Sequence, residues 1–376
     1  MLKVTPKNCG FNFSYELYAK MSGLIGIQNM GLTCYANAVL QCLRSLPRIS
    51  NLFVEGKYDT LFTATGKPKR RLQQELTRSF ADLLQKQNAG NTGVIRPGSF
   101  WEKMHPCIED TVYEQMKIKT AHDSHEFLMF MLETLHESLS IPVEMQIMKS
   151  PPKTDVEKRV IESLEVWKKE FSKEYSPLVD MFFGLLHIKM TCTSCGATSH
   201  RWETFNTIKG AVPLHTAETE ATPPSLISML QNDMKEEEIE GYSCDACAPT
   251  RTLAKRQTCI WRLPQVLVIC LKRFTPDGRK ITTPIQTSGF QPLTLEPLFS
   301  EESPERNGIT EYTLRSVVDH HGGAGGGHYT GQIRSPVDEK WHIYDDQSTY
   351  ALASPVFGKS TYILFFEREV RKSRSS

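Results

Sequence analysis

The chain has 376 residues, enough for two or three domain-sized units or one large lobed domain. Hydrophobic residues make up 39% and charged residues 23%, the proportions of a soluble globular protein able to bury a core. Lys and Arg number 44 and Asp and Glu 43, for a net charge of +1, which excludes a broad field for DNA or an anionic membrane and leaves recognition to local patches.

The N-terminal stretch "MLKVTPKNCGFNFSYELYAKM" is too polar and too interrupted for a signal-peptide core. No apolar run approaches the roughly 18 to 20 residues that span a bilayer. The chain is therefore expected in the cytosol or nucleus, where thiols stay reduced. Its ten cysteines then point to metal, catalysis and core packing rather than disulfides.

Residues 1–22 read as an extension. From Gly23 to about Leu139 the pattern is mainly helical: "RRLQQELTRSFADLLQKQ" places Leu72, Leu76, Phe80 and Leu83 at helical spacing, and "DSHEFLMFMLETLHESL" is apolar on nearly every side. Lys149 to Ser176 reads as a surface loop and then an amphipathic helix around Trp167. Strand signals begin near Gly184 with "GLLHIKMTC" and "HRWETFNTIKG", followed by a loop from His215 to Pro224 and a short helix. From Trp261 onward the pattern is β, in "QVLVICLKRF", "YTLRSVVDHH", "HYTGQIRS", "KWHIYDD" and "TYILFFER". The tail "VRKSRSS" is basic and reads as disordered.

After Cys34 of "GIQNMGLTCYANAVLQ", Val39 and the following Cys42, Leu43 and Leu46 recur at helical spacing. Cys34 thus falls in the first turn of a helix, where unpaired N–H groups and the dipole lower a thiol's pKa. Asn29 can offer its amide to an oxyanion. Taken alone, Cys34 reads equally well as a small packing residue.

A thiolate nucleophile needs a histidine, and the histidine needs an orienting group. His328 to Arg334 and Lys340 to Asp345 form two strands joined by "SPVDE". If Arg334 opposes Glu339 or Lys340, His328 falls opposite Asp345 or Asp346, with Cβ atoms about 5 Å apart. Glycines before His328 let the backbone approach and flex around a bound chain. His320 and His342 read as half-exposed surface residues.

"CTSC" at Cys192 and Cys195 and "CDAC" at Cys244 and Cys247 are two C-x-x-C pairs whose first cysteines lie 49 residues apart. Four thiolates in two knuckles match tetrahedral, structural Zn²⁺ pinning the ends of a long β excursion, with no open position for catalysis. Cys9, Cys42, Cys107, Cys259 and Cys270 read as packing residues.

Together these stretches resemble the ubiquitin-specific protease family of papain-like cysteine peptidases. "GIQNMGLTCYANAVLQCL" resembles its cysteine box, "HDSHEFLMFMLETLHE" its second helical motif, and "GLLHIKMTCTSCGATSHRWETFNTI" with "GYSCDAC" its zinc-bearing fingers. "LPQVLVICLKRF" resembles its palm strand, and "GGGHYTGQIRS" with "KWHIYDDQS" its histidine box, so the likeness runs from about Gly23 to Arg368. The resemblance implies an α+β fold with a helical thumb (about 23–180), β-rich fingers (about 181–260) and a palm (about 261–368), flanked by the extension and the 369–376 tail. It implies a deubiquitinase that cleaves after ubiquitin's C-terminal glycine through an acyl-enzyme. Cys34 would be the nucleophile, His328 the base, Asp345 the orienting acid and Asn29 the oxyanion residue.

Asp123 and Tyr329 are the substrate-binding candidates, Asp123 for ubiquitin's extended tail, although Asp123 with Glu126 also reads as a helix capping box and both roles can hold. Leu32 stands where the family often has Asn or Ala, and Ala121 replaces a common Gln. Neither change removes a catalytic group, so activity is expected. Ubiquitin and ubiquitinated proteins are the expected partners, with room for regulatory protein subunits. Near-zero charge and the absence of a basic stripe near Cys192–Cys247 speak against nucleic acid.

Overall fold

Apolar periodicity shapes the first half of the chain into helices. The structure, a computed structural model, describes residues 4–6, 23–63, 67–89, 92–117, 119, 121–148, 151–286, 292–308, 310–335 and 338–368. Most of the N-terminal extension, Cys9 and the basic tail lie outside the described residues. Helices Cys34–Ser45, Pro47–Val54, Pro68–Ala89, Gly98–Ile108 and Ser124–Leu139 pack around one apolar cluster that buries Leu40, Leu43, Phe80, Phe100, Phe127 and Met131. Within Pro68–Ala89 the buried stripe includes Leu76, Phe80 and Leu83, with Leu72 half-buried at its edge.

Two four-residue strands, Leu24–Ile27 and Thr92–Ile95, pair in parallel inside this region. The helical reading passed over them because four residues are too few to show an alternation. The amphipathic helix is Asp155–Phe171; the Thr154 side chain caps it by accepting the Glu157 N–H, and Trp167 is buried beneath it.

The fingers are a four-stranded antiparallel sheet in the order Thr198–Phe205, Gly184–Cys192, Arg251–Arg262, Glu237–Ser243. "HRWETFNTIKG" is two strands rather than one: Ile208–Ala211 leaves the fingers and pairs in parallel with Val266–Lys272. The 215–224 loop carries a short helix, Ala217–Ala221, begun by a reciprocal capping box between Thr216 and Thr219.

The palm is an eight-stranded sheet whose path runs Ser348–Leu352, Trp341–Asp345, Gly326–Arg334, Glu311–Gly323, Thr361–Arg368, Val266–Lys272 and Ile208–Ala211, with Leu293–Thr294 paired to Glu311–Gly323 off that path. Its centre is apolar on both faces, as in Val266–Cys270 and Tyr362–Phe366. This covering corrects the reading of two histidines: His320 and His342 are buried, at 4% and 9% exposure, because both lie on inner strands of the sheet.

The strand that begins before His328 pairs with Trp341–Asp345 in a register shifted from the expected one, for Arg334 faces Trp341 rather than Glu339 or Lys340. The link is longer than "SPVDE" alone, closing where the Ser335 N–H donates to the Lys340 carbonyl at 2.8 Å. Gln332 faces Ile343 and shares its side of the sheet. Two-residue alternation from that pair carries His328 and Asp345 to one face, while Asp346 lies past the strand's end in the turn to Ser348–Leu352, with left-handed backbone at φ +49°.

The helical half meets the palm at this corner. The Ile27 N–H donates to the Asp346 carbonyl at 2.8 Å, and a Cβ on Gly26 would sit 2.3 Å from the Gln347 carbonyl oxygen, so only glycine permits the approach. Among the described residues no helix is long and apolar enough to cross a membrane. The architecture is α+β, with most of the helices before residue 183 and two antiparallel-rich sheets after it.

Candidate active site

The loop before Cys34 is braced by one side chain. Asn29 Oδ1 accepts the N–H groups of Gly31 at 2.9 Å and Thr33 at 3.1 Å, and the Thr33 hydroxyl at 3.3 Å. The Thr33 hydroxyl in turn accepts the Met30 N–H at 2.9 Å. The tight turn needs left-handed backbone at Gly31 (φ +105°) and at Leu32 (φ +58°), a conformation costly for leucine. Leu32, the departure noted in the sequence, is thereby displayed at 52% exposure just ahead of the cysteine.

Cys34 is the first residue of its helix, as the spacing predicts, and only 5% exposed. The expected lowering of its thiol pKa is not what the structure shows. Burial pushes the thiol above its ordinary 9.0, and the Asp346 charge adds to this. Backbone N–H groups of Tyr329, Tyr35 and Cys34 itself pull the other way without overcoming the desolvation.

The amide that reaches the sulfur belongs to Tyr329, the residue after His328. His328 Nε2 lies 2.6 Å from Asp345 Oδ1, with both side chains about two-fifths exposed. That bond uses Nε2 and leaves Nδ1 as the ring nitrogen for a second partner. The two candidate acids separate by partner. Asp345 holds His328, whereas Asp346 accepts Asn29 Nδ2 at 2.8 Å on one carboxylate oxygen and Asn37 Nδ2 at 2.7 Å on the other. Asn29 therefore commits one of its two amide hydrogens to Asp346 and retains one for an oxyanion.

Sequence reasoning missed Asn37 and the seam to which it belongs. Asn37, Gln41 and Arg44 lie at i, i+4 and i+7 of the cysteine helix, all buried. Gln41 Nε2 donates to the Ile25 carbonyl at 2.8 Å, and Arg44 donates to the Gly23 carbonyl at 3.0 Å and to the Tyr344 hydroxyl at 2.9 Å. Three polar residues at helical spacing inside an otherwise apolar helix were the signal available, since buried polar groups need partners.

Asp123 is the N-cap of Ser124–Leu139, accepting the His125 N–H at 2.7 Å; among the described residues no return bond from Glu126 completes the expected box. Both Asp123 oxygens also accept the buried Tyr362 hydroxyl, at 2.8 and 2.7 Å. Asp123, Ala121, Phe274 and Tyr329 line a cavity of about 310 Å³ closed on one side by Ala324–Gly327. Tyr329 lines this cavity and its amide reaches Cys34, which links cavity and thiol. Of the glycines in this turn, Gly327 serves close packing, for a Cβ there would lie 2.3 Å from the His321 carbonyl and 2.4 Å from His320 Nε2. A larger cavity of about 670 Å³, beside His187 and Cys259 at the finger base, contains none of these groups.

At the finger tip the Sγ atoms of Cys192 and Cys247 are 3.9 Å apart and those of Cys195 and Cys244 3.6 Å, and all four lie within 4.8 Å of one another. A tetrahedral ion with metal–sulfur bonds of about 2.3 Å requires sulfur separations of about 3.8 Å, so the quartet fits a metal ion. Of the cysteines read as packing residues, Cys42, Cys107 and Cys270 are buried, while Cys259 is half-buried at the wall of the larger cavity.

A family model described as "Ubiquitin carboxyl-terminal hydrolase" matches residues 25–366. The chain is 28% identical over 382 residues to ubiquitin carboxyl-terminal hydrolase 4 of Vanderwaltozyma polyspora, covering 92% of this chain and 41% of that protein. It is 29% identical over 357 residues to ubiquitin carboxyl-terminal hydrolase 2 of Rattus norvegicus, covering 94% and 55%. The chain thus spans about half the length of the curated relatives it matches. Among solved structures, the SAGA Ubp8/Sgf11/Sus1/Sgf73 DUB module bound to ubiquitin aldehyde superposes with a TM-score of 0.66 over 93% of this chain and 70% of the matched chain, at 19% identity, a likeness of fold.

The raised thiol is measurable. In a His328→Ala variant, the rate of Cys34 alkylation by iodoacetamide, followed against pH, should inflect above 9.0, because burial favours the neutral thiol. An inflection below that value would show that the helix terminus outweighs desolvation.

Proposed function

The chain belongs to the ubiquitin carboxyl-terminal hydrolase family, and from that premise we propose that it is a thiol-dependent deubiquitinase hydrolysing the isopeptide or peptide bond after ubiquitin's C-terminal glycine. The observation that carries this reading is the pairing of His328 with Asp345 at 2.6 Å beside a Tyr329 amide that reaches the Cys34 sulfur. Because burial keeps the resting thiol neutral, His328 takes its proton as the sulfur attacks the glycine carbonyl. Asp345 fixes the ring and stabilises the imidazolium. The free Asn29 hydrogen and backbone N–H groups at the helix start receive the oxyanion. Collapse expels the amine, which takes the proton from His328, and leaves a thioester on Cys34. Water, deprotonated by His328, then hydrolyses the thioester and restores the thiol.

The cavity between Asp123 and the glycine-rich turn suits an extended tail ending in glycine, with Asp123 and Tyr329 as its contacts. Asp123 is held for this by Tyr362, and its cap role is compatible with it. The helical region, finger sheet and palm would act as thumb, fingers and palm around ubiquitin's body. The matched DUB module is bound to ubiquitin aldehyde and contains Sgf11, Sus1 and Sgf73, which supports ubiquitin as the substrate and protein subunits as a means of regulation here. The reduced thiols suit action in the cytosol or nucleus.

For the finger quartet we assign Zn²⁺ in a structural role: four thiolates satisfy the ion and leave no open position, so the ion supplies cross-linking and no chemistry.

Turnover of a fluorogenic amide at ubiquitin's C-terminus tests the mechanism. Cys34→Ala should abolish release, and Asp345→Ala should lower kcat by roughly 10²- to 10⁴-fold, more than Asp346→Ala does. Undiminished turnover in Cys34→Ala, or the reverse ranking of the two acids, contradicts the assignment. Elemental analysis of protein purified without chelator should find about one zinc per chain. Cys192→Ser should lose that zinc and destabilise the fingers, and protein devoid of zinc would refute the assignment.

A further inference from the structure

One basic side chain beside the cleft has no place in the mechanism above. Lys280 closes a tight turn in which Phe274 bridges to Lys280, the Thr275 N–H donates to the Arg279 carbonyl at 3.0 Å, and Gly278 takes φ +77°. Its ammonium donates to the carbonyl of His320, and to that of Gly322 at 3.2 Å. Those carbonyls lie at the root of the hairpin that joins Glu311–Gly323 to Gly326–Arg334 and leads directly into His328.

Apart from Lys280, the hairpin is held by its own ladder, in which Gly322 faces Gly327 and Gly323 faces Gly326. A Cβ at Gly323, Gly325 or Gly326 would meet nothing within 4 Å, so these positions have open space on that side. The firm contacts come at its base, where Gly327 abuts His320 and where the His320 ring packs on Phe274 with centroids 5.1 Å apart. The Phe274–Gly278 turn and the Ala324–Gly327 turn are two walls of the 310 Å³ cavity. Lys280 is a polar link between those walls.

We propose that Lys280 is a positioning residue for substrate binding: its ammonium clasps the glycine hairpin to the Phe274–Lys280 turn and so sets the width of the cleft that receives the glycine-ended tail. The inference rests on the reading of this cavity as the tail site. Lys280 stands in company that keeps the clasp sensitive. Burial first, and then the Arg273 charge, lower its ammonium to about 8, while Asp319 opposes them. It remains the charged donor at neutral pH, and hydrogen bonds from charged donors are the stronger kind.

The test compares Lys280→Met, which keeps the apolar stem and loses the donors, with Lys280→Arg, which restores charged donors. On the fluorogenic ubiquitin amide, Lys280→Met should raise KM roughly tenfold and leave kcat within about twofold, the signature of lost binding rather than lost chemistry. Lys280→Arg should recover most of that loss. Hydrogen exchange of the 322–327 amides should quicken in Lys280→Met while the Val266–Lys272 strand keeps its protection. An unchanged KM, a fall in kcat at constant KM, or equal damage from Met and Arg would overturn the proposal. Should Lys280→Met not fold, Lys280→Gln is held to the same criteria. If the wild type fails to turn over the ubiquitin amide, the deubiquitinase reading falls, and the exchange comparison alone decides the clasp: quickened 322–327 amides support it and unchanged ones overturn it.

Discussion

One carboxylate joins the two ends of this chain into a site. Asp346 accepts an amide N–H from Asn29, in the loop before the cysteine, and another from Asn37, in the first turns of its helix. Its own carbonyl accepts the Ile27 N–H. Three segments from the beginning of the chain thus converge on a single residue near its end, and hydrogen bonds to an ionised acceptor are roughly twice as strong as neutral ones. The neighbouring Asp345 is then left to hold His328. The division of labour between adjacent acids follows from the strand's end: Asp345 is the last residue of Trp341–Asp345, whereas Asp346 opens the turn that follows, with left-handed backbone at φ +49°.

The buried polar seam extends that clamp along the cysteine helix. Asn37, Gln41 and Arg44 tie successive turns to Ile25 and Gly23 and to the palm residue Tyr344. An apolar helix could slide or rotate against an apolar sheet at small cost, whereas a helix whose amides each require a specific carbonyl cannot, because an orphaned buried donor costs about 1–3 kcal/mol. Rigidity here has a chemical consequence. The thiol is buried enough to stay protonated at rest, so the proposed mechanism rests on His328 as the base rather than on a permanently lowered pKa. That arrangement protects the sulfur from casual alkylation and oxidation, for both require the thiolate.

Much of this was legible in the sequence, for identifiable reasons. Long periodic helices such as Pro68–Ala89 and Ser124–Leu139 stand out because burial of one face repeats over several turns. Cys34 at a helix start, His328 near an acidic pair and the two C-x-x-C knuckles were visible because each is a local pattern tied to a chemistry. What stayed hidden was set by tertiary context. The parallel strand pair of Leu24–Ile27 and Thr92–Ile95 depends on partners distant in sequence. The desolvation that raises the Cys34 pKa cannot be read from a helix position, and the burial of His320 and His342 depends on both faces of the palm being covered. The register was misjudged because the turn after Arg334 closes at Lys340, one residue later than the turn-forming letters suggested. In the true register Asp345 lies on the face of His328.

The central claim is that one sulfur among ten is the nucleophile, with the finger cysteines gathered in a quartet that fits a metal ion and Cys42, Cys107 and Cys270 shut in the core. Reaction with ubiquitin carrying a C-terminal electrophile, followed by peptide mapping of the adduct, tests it most directly. The account predicts a single adduct at Cys34, formed far more slowly in His328→Ala and absent in Cys34→Ala. An adduct at Cys42, Cys107 or Cys259, or labelling that persists after Cys34→Ala, would contradict it.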